Sequence, residues 1–246
     1  MTDATISIDK AIEKSPVLLD PERINVLKNL GLLDTPPESG FDRLTKLVGK
    51  IIDAPVTLVA LIDADRSFFK STFGIDTAVP RSVPLSHSLC KHVVATGEPL
   101  IIADTRQDER VHDNRGVTEF GVISYLGMPL FSASGYGLGS FCVMDTKPRE
   151  WSEREIEIMR ELSMSVMVEI ELRAQLQARK EAESLVQKTN DRLSLRNQQL
   201  RRVTEFCRST IETMIETTQR GSSKVESLQY LRETQKELNK YETQTD

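Results

Sequence analysis

The chain has 246 residues and a formal net charge of −5, which argues against nonspecific nucleic-acid binding as its main task. Its three cysteines, Cys90, Cys142 and Cys207, are widely spaced and form no CxxC pair, so we expect reduced thiols rather than a disulfide framework. The N-terminus lacks the apolar core of a signal peptide, and no stretch has the roughly 20 apolar residues that cross a bilayer, so we expect a cytoplasmic protein with no membrane partner.

The first part of the chain predicts a tail followed by two helices. Residues 1–20 mix polar and apolar side chains, and we expect a loosely ordered N-terminal tail there. A helical pattern begins at Pro21, with Asp20 as its N-cap. A second, amphipathic helix is predicted from Glu38 to Asp53, with one apolar face.

The middle of the chain predicts a sheet. Runs of apolar and β-branched residues indicate five strands, over 56–62, 67–73, 100–103, 122–131 and 136–144. The segment 74–85 is rich in turn formers, and a helix is predicted to begin at Ser86 and to stop at Gly97. The polar segment 104–119 is expected to form a lid over a cavity. Helices followed by this set of strands indicate an α+β domain.

The C-terminal part predicts one long helix. Residues 149–220 contain neither proline nor glycine, the two residue types that most disfavour a helix. Ser152 and Glu155 fit a capping box at its start.

A seven-residue period follows, which favours a coiled coil over 173–220. The apolar positions of this period are Val186, Leu193, Leu200, Cys207 and Met214. The companion positions are weak and include Asn190 and Asn197, so a frayed single helix is the alternative. Residues 221–246 are expected to form a short helix and tail.

The segment 21–172 contains three stretches in the residue order of a known family: LLDTPPESGFDRLTKLVGKIIDAPVTLVALIDADRSFFKSTFG, SLCKHVVATGEPLIIADTRQDERVHDN and GSFCVMDTKPREWSEREIEIMRELS. With them the chain resembles the bacterial GAF sensor domain, in the subgroup found beside histidine kinases and diguanylate cyclases. The resemblance implies a GAF-like central antiparallel sheet flanked by helices, with a ligand pocket on one side. It also implies dimerisation through the helices that enter and leave the domain.

GAF domains serve several unrelated functions, so each is weighed on this chain's residues. Bilin-binding members carry a cysteine near the pocket, and Asp113 stands at the corresponding position, so a covalent bilin is not expected. Members that reduce free methionine sulfoxide use paired cysteines. Here Cys90 lies near a predicted helix start, beside Lys91 and His92, but the distal cysteine is absent from 104–121.

Cys142 lies within a predicted strand and is interpreted as a small buried side chain. Haem stays open through His87, His92 or His112, although scattered histidines of this kind are more often structural. No metal site is predicted, because His87, Cys90 and His92 lack a matching second pair of ligands.

After these alternatives, the sequence favours a pocket that binds its ligand noncovalently. We expect this pocket between the helix at Ser86, the segment 104–119 and the central strands. The strand pattern predicts these ligand-binding residues: Phe69, Phe73, His87, Cys90, His112, Tyr125 and Met128. Four arginines are expected to make the lid attractive to an anion: Arg81, Arg106, Arg110 and Arg115.

We therefore predict a non-catalytic regulatory GAF protein. It acts in signal transduction as a homodimer through Trp151–Gln219 and passes a ligand or redox state through the coiled coil to a protein partner at 221–246. Two alternatives stay open. One is a dimeric scaffold whose pocket is filled by its own side chains, and the other is a thiol-based redox sensor or reductase acting through Cys90.

Overall fold

The computed structural model describes residues 7–76, 78–219 and 229–236. The chain divides into two compact units, Met1–Ala178 and Arg179–Asp246. The helices are α1 (Ile8–Ile12), α2 (Pro16–Leu19), α3 (Pro21–Asn29), α4 (Ser39–Ile52), α5 (Cys90–Thr96), α6 (Arg115–Thr118) and α7 (Glu153–Gln219). The strands are β1 (Val56–Ile62), β2 (Arg66–Phe73), β3 (Ser82–Pro84), β4 (Leu100–Ile102), β5 (Ser124–Phe131) and β6 (Gly137–Asp145). Short 3₁₀ turns occupy Leu85–His87 and Thr105–Gln107.

The six strands form one antiparallel sheet in the order β3-β2-β1-β6-β5-β4. The predicted α+β fold, with an antiparallel sheet and flanking helices, is confirmed. β1 and β6 lie at the centre and are buried on both faces, which is why their sequences are almost continuously apolar.

Each face of the sheet carries its own core. On the first face, which we call the helix face, α4 and the start of α7 bury side chains such as Phe41, Val48 and Met159 against Val59 and Leu61 of β1. On the opposite face, which we call the cavity face, α5 and the segment 104–122 cover Leu58, Ala60 and Ile62 of the same strand. Side chains alternate between the two faces because successive residues of a strand point in opposite directions.

A β-bulge interrupts this alternation in β2. Val59 pairs with Ser71 and Ala60 pairs with Phe69, so Lys70 is an extra residue with no partner across the ladder. A bulge of this kind reverses the faces of the residues that follow it. Phe69 therefore lies on the cavity face, whereas Ser71 lies on the helix face and bonds Thr45 of α4 at 2.9 Å.

The expectation of a loosely ordered tail is wrong for the described part of residues 1–20. Helices α1 and α2 are N-capped by Ser7 and Ser15, whose hydroxyls accept hydrogen bonds from backbone N–H groups of the first turn. Leu18 is fully buried in the core of the cavity face. Its burial is one of the contacts that tie the segment to the rest of the domain.

The strand count also needs correction, because the predicted loop 74–85 contains the edge strand β3. Proline is tolerated at a sheet edge, where its missing N–H faces away from the ladder, and Pro84 ends this strand.

The helix predicted to begin at Ser86 begins at Cys90 instead, after the 3₁₀ turn Leu85–His87. The predicted second helix, from Glu38 to Asp53, is confirmed as α4.

The long C-terminal helix is confirmed as α7. Its capping box is formed: Ser152 N–H donates to Glu155 Oε2 at 2.8 Å, and Glu155 N–H donates to Ser152 Oγ at 3.3 Å. In the second unit, residues 229–236 are also helical. The remainder of the predicted short helix and tail at 221–246 lies outside the described residues. Within the residues that the structure describes, no helix is both long and apolar enough to cross a bilayer.

Candidate functional site

A cavity of about 390 Å³ lies on the cavity face of the sheet. It is enclosed by β1, β2, β6, the start of α5 and the loop 120–122. Most of its wall is apolar: Val56, Leu58, Phe69, Ile75, Val79, Val83, Leu89, Phe120, Val122 and Met144. The polar contributions come from His87, Ser88, Cys90, Tyr125, Asp145 and Thr146. This volume and lining are typical of a site for a small organic ligand.

Four of the seven predicted site residues line this cavity together: Phe69, His87, Cys90 and Tyr125. The structure places the other three elsewhere. Phe73 packs against Gly49 of α4, and Met128 lies in the core of the helix face. His112 is exposed on the segment between β4 and β5.

Each of these differences has a physical reason. The bulge at Lys70 moves Phe73 to the face opposite Phe69, although both would share a face in a regular strand. Tyr125 and Met128 are three residues apart in β5, an odd spacing that sends them to opposite faces. No regular period applies to His112, because it lies outside the helices and strands.

His87 and Phe120 form the mouth of the cavity. Their rings lie 5.2 Å apart, and Phe120 is 55% exposed. His87 Nε2 is 3.2 Å from Glu119 Oε2, and its Nδ1 is 3.1 Å from Ser86 Oγ. His87 is thus held by two polar partners at the point where a ligand would enter.

A cluster of four polar side chains lies at the inner end of the cavity. Tyr125 donates its hydroxyl hydrogen bond to Cys90 Sγ at 3.3 Å, and its oxygen is also 3.3 Å from Ser140 Oγ. The sulfurs of Cys90 and Cys142 are 3.7 Å apart. Gly127 makes room for this arrangement, because a Cβ at that position would overlap the Tyr125 hydroxyl.

The cluster separates the acidities of its two thiols. The hydrogen bonds that Cys90 receives, first from Cys142 and then from Tyr125, lower the pKa of the Cys90 thiol below its ordinary value. Burial raises the pKa of the Cys142 thiol well above its ordinary value. Of the two sulfurs, Cys90 is therefore the better thiolate. The sequence prediction that Cys142 is a buried side chain within a strand is confirmed, but its contact with Cys90 was missed.

The arginines near the lid are engaged with neighbouring groups. Three of them are paired with local carboxylates: Arg106 with Asp104, Arg110 with Asp108 and Arg115 with Glu119. Arg81 donates to the backbone carbonyls of Thr35, Phe69 and Lys70. Their charges are balanced or used structurally, so the expected anion-attracting lid is not formed.

A buried polar cluster lies behind α5 and was not predicted. Asp9 of α1 accepts hydrogen bonds from Lys91 at 2.7 Å, His92 at 2.7 Å and Asn114 at 2.9 Å. Burial alone would raise the pKa of Asp9, but the hydrogen bonds from His92, Lys91 and Asn114 together lower it. The cluster fastens the N-terminal segment to the helix whose first residue, Cys90, lines the cavity. Among the described residues, no group of three or more His, Cys, Asp or Glu side chains is placed to hold a metal ion.

Fold and cavity together describe a small α+β domain, with an antiparallel sheet between a helix layer and a cavity. The chain belongs to the GAF domain family, whose sequence model matches residues 36–170, more than half of the chain. It is thus a GAF sensory domain of the kind found in bacterial signalling proteins.

Similar proteins include a cyclic di-GMP phosphodiesterase of Pseudomonas aeruginosa, which is 30% identical over 143 residues. That alignment covers 57% of this chain and 24% of the relative, so the chain spans about a quarter of the relative's length. Among solved structures, the GAF domain of an Acinetobacter phosphoenolpyruvate-protein phosphotransferase is 17% identical with a TM-score of 0.47, over 64% of this chain and 98% of that one. The free methionine-R-sulfoxide reductase of Neisseria meningitidis is 16% identical with a TM-score of 0.47, and the match covers 66% of this chain and 89% of that one.

Proposed function

We propose that this chain is a regulatory GAF protein that binds a small, mainly apolar molecule in the cavity and passes its occupancy to α7. The observation that carries the proposal is a continuous chain of contacts. It runs from the cavity wall at Phe69, through Lys70 and Glu38, to Arg173 on α7.

The ligand class follows from the lining. An apolar wall of aliphatic and aromatic side chains favours burial of a hydrocarbon or aromatic body. His87 and Ser88 stand on one side of the cavity and Asp145 and Thr146 on another, which suits a ligand with one or two polar groups. A highly charged ligand is disfavoured, because three of the arginines expected to bind it are paired with carboxylates and Arg81 is bonded to backbone carbonyls.

The route to α7 begins at the bulge in β2. Phe69 lines the cavity, and the next residue, Lys70, points to the opposite face of the sheet as in any strand. Lys70 is fully buried, and its Nζ donates to Glu38 Oε1 and to Thr35 Oγ1, both at 2.5 Å. Glu38 Oε2 in turn accepts from Arg173 Nε at 2.9 Å. A ligand that displaces Phe69 would therefore shift a buried ion pair that also holds α7.

The output is proposed to be mechanical, through a homodimer. Apolar side chains of α7 in the first unit are exposed, including Val168 at 64% and Leu172 at 50%. In the second unit, the seven-residue positions Val186, Leu193 and Leu200 are each more than half exposed. Such stripes are what a partner helix would cover, which supports the predicted dimer through Trp151–Gln219.

The remaining parts of the proposal rest on the sequence. We propose that residues 221–246 bind a protein partner. The cysteine usage supports a cytoplasmic location. We propose no role for nucleic acid. The proposed ligand-binding role involves no catalytic step. The phosphodiesterase activity in the name of the Pseudomonas relative belongs to a protein of which the aligned segment makes up only 24%.

Native mass spectrometry of the purified full chain tests ligand binding. We expect the wild type to retain a small organic molecule, or to show a melting temperature raised by a few degrees with members of an apolar compound library. Val122→Trp, which fills the cavity, should abolish both effects, whereas Val17→Trp at an exposed position of α2 should preserve them. If the wild type and Val122→Trp respond alike to every compound, the cavity is not a ligand site and the scaffold alternative replaces the proposal.

Hydrogen exchange tests the route. We expect ligand to change exchange rates over residues 165–178 of α7 in the wild type. Glu38→Gln should still bind ligand but lose that change, since Lys70 and Arg173 would no longer share a charged partner. A ligand-dependent change that persists in Glu38→Gln would rule out this route.

A further inference from the structure

Two cysteines that are 52 residues apart in sequence meet beside the cavity. Cys90 is the first residue of α5, and Cys142 lies in the middle of β6. Their sulfurs are 3.7 Å apart, so an approach of about 1.7 Å would bring them to the S–S bond length of about 2.0 Å. Cys207 belongs to the second unit and serves as an internal reference.

The two thiols differ in access. Cys90 is 3% exposed and belongs to the cavity wall, so its side chain is the one of the two that borders the space a small molecule would enter. Cys142 is fully buried beneath it, between Leu58 of β1 and Gly127 of β5. Cys90 also receives the Tyr125 hydroxyl hydrogen bond, which favours its thiolate form. The geometry therefore gives the two sulfurs different roles, with Cys90 the attacking and Cys142 the resolving thiol.

We propose that Cys90 and Cys142 form a reversible redox site for a small peroxide that enters through the cavity. The Cys90 thiolate attacks one peroxide oxygen, the O–O bond breaks, and Cys90 becomes a sulfenic acid while one water or alcohol leaves. The Cys142 sulfur then attacks the Cys90 sulfur, and the S–S bond forms as a second water leaves. Two thiols lose two electrons and two protons in total, and the peroxide takes up both. A thiol reductant restores the pair by disulfide exchange.

The disulfide would act on the cavity. Cys142 is held in a central strand with partners on both sides, whereas Cys90 opens a helix of seven residues. The approach of the sulfurs therefore moves the start of α5 toward the sheet. His87, Ser88 and Leu89 precede Cys90 directly and line the cavity, so oxidation is expected to narrow it. This site goes beyond the proposed ligand binding and does not depend on it.

Differential alkylation of the wild-type chain tests the proposal without any variant. The folded protein is treated with one equivalent of hydrogen peroxide, quenched by unfolding in alkylating agent, reduced, and labelled with a second agent. We expect Cys90 and Cys142 to carry the second label in equal amounts, and a peptide pair joined by a disulfide to appear before reduction. Cys207 should keep the first label. If both Cys90 and Cys142 keep the first label at a peroxide dose that oxidises Cys207, the proposal is overturned.

Two variants separate the roles of the thiols. Cys142→Ala should stop at the Cys90 sulfenic acid, which dimedone traps as a stable adduct. Cys90→Ala should leave Cys142 reduced and slow peroxide consumption about tenfold or more. The two thiols only pack together if two results coincide: Cys142→Ala forms no dimedone adduct at Cys90, and the wild type forms no disulfide. Apolar-ligand retention by Cys142→Ala shows separately that the cavity functions regardless of the redox result.

Discussion

Arg173 of α7 donates a hydrogen bond of 2.9 Å to Glu38, the residue immediately before α4. Through its other oxygen, Glu38 also holds Lys70, whose side chain is fully buried. Burial alone would raise the pKa of Glu38, but the hydrogen bond and charge of Lys70, together with Arg173, lower it. One carboxylate thus joins the bulged strand to the helix that leaves the domain.

Replacing Glu38 by Gln is expected to destabilise the first unit by about 1–2 kcal/mol, because the buried Lys70 ammonium loses its counter-charge. Chemical denaturation monitored by the single tryptophan, Trp151, measures the change. Glu161→Gln, at an exposed position of α7, is the matched control and should lie within about 0.5 kcal/mol of the wild type. Equal unfolding midpoints for the two variants would contradict the role assigned to Glu38.

Asp9 predicts a specific loss of stability in acid. Its pKa lies below the ordinary value of 3.8 in the folded chain, so its ionised form stabilises the fold at pH values above 3.8. That contribution is lost as the pH falls through the lowered folded pKa. Asp9→Asn should therefore be less stable than the wild type by about 2–4 kcal/mol at pH 5, where Lys91 loses its buried partner.

The difference between the two proteins should shrink steadily between pH 5 and pH 3. Urea unfolding at each pH gives the free energies, and the comparison with Asp9→Asn isolates this carboxyl from the others. Glu98→Gln, at an exposed position just after α5, serves as the control. A wild-type advantage over Asp9→Asn that grows toward pH 3 would contradict the sign of the shift.

The sequence was sufficient for the fold because its signals are local. The amphipathic pattern of α4, the apolar runs of β1 and β6 and the capping box of Ser152 and Glu155 each depend on neighbours a few residues away. The first helices were missed because residues 1–20 are short and weakly periodic, and their order comes from contacts with distant residues, such as Asp9 with Lys91.

The site was only partly predictable for a related reason. Phe69 and Tyr125 reach the cavity from strand positions before any irregularity, and Cys90 reaches it from the first turn of α5. His87 reaches it from the 3₁₀ turn that precedes α5. Phe73 does not, because a bulge has no sequence signal that period-two reasoning can detect. The approach of Cys142 to Cys90 depends on how α5 packs on the sheet, and a single sequence does not specify such a contact.

Gly127 is expected to be essential for the inner end of the cavity. A Cβ at this position would overlap the Tyr125 hydroxyl oxygen and lie 2.6 Å from its ring, so the buried tyrosine would have to shift. Gly127→Ala should therefore destabilise the chain by about 1–3 kcal/mol and slow oxidation of Cys90 by displacing the tyrosine hydroxyl.

Gly40→Ala provides the contrast, since a Cβ there meets only the carboxylate end of the flexible Glu169 side chain. That variant should be close to neutral, or slightly stabilising because alanine favours a helix. Thermal unfolding and the alkylation assay measure both effects. If Gly127→Ala melts at the wild-type temperature, Tyr125 is not held where the structure places it.

Arg23 is expected to be the main anchor of the N-terminal helices. Its guanidinium is almost completely buried and donates to four backbone carbonyls: those of Val17, Leu18, Ile62 and Gly137. A planar fork with several donors is required to reach all four, and a lysine ammonium cannot span them. Arg23→Lys should cost about 2–3 kcal/mol and raise the hydrogen-exchange rates of residues 16–19 more than those of β1. Arg154→Lys, at an exposed position of α7, is the control and should change neither the stability nor the exchange rates. If residues 16–19 are equally protected from hydrogen exchange in the wild type and in Arg23→Lys, the apolar burial of Leu18 alone holds this segment.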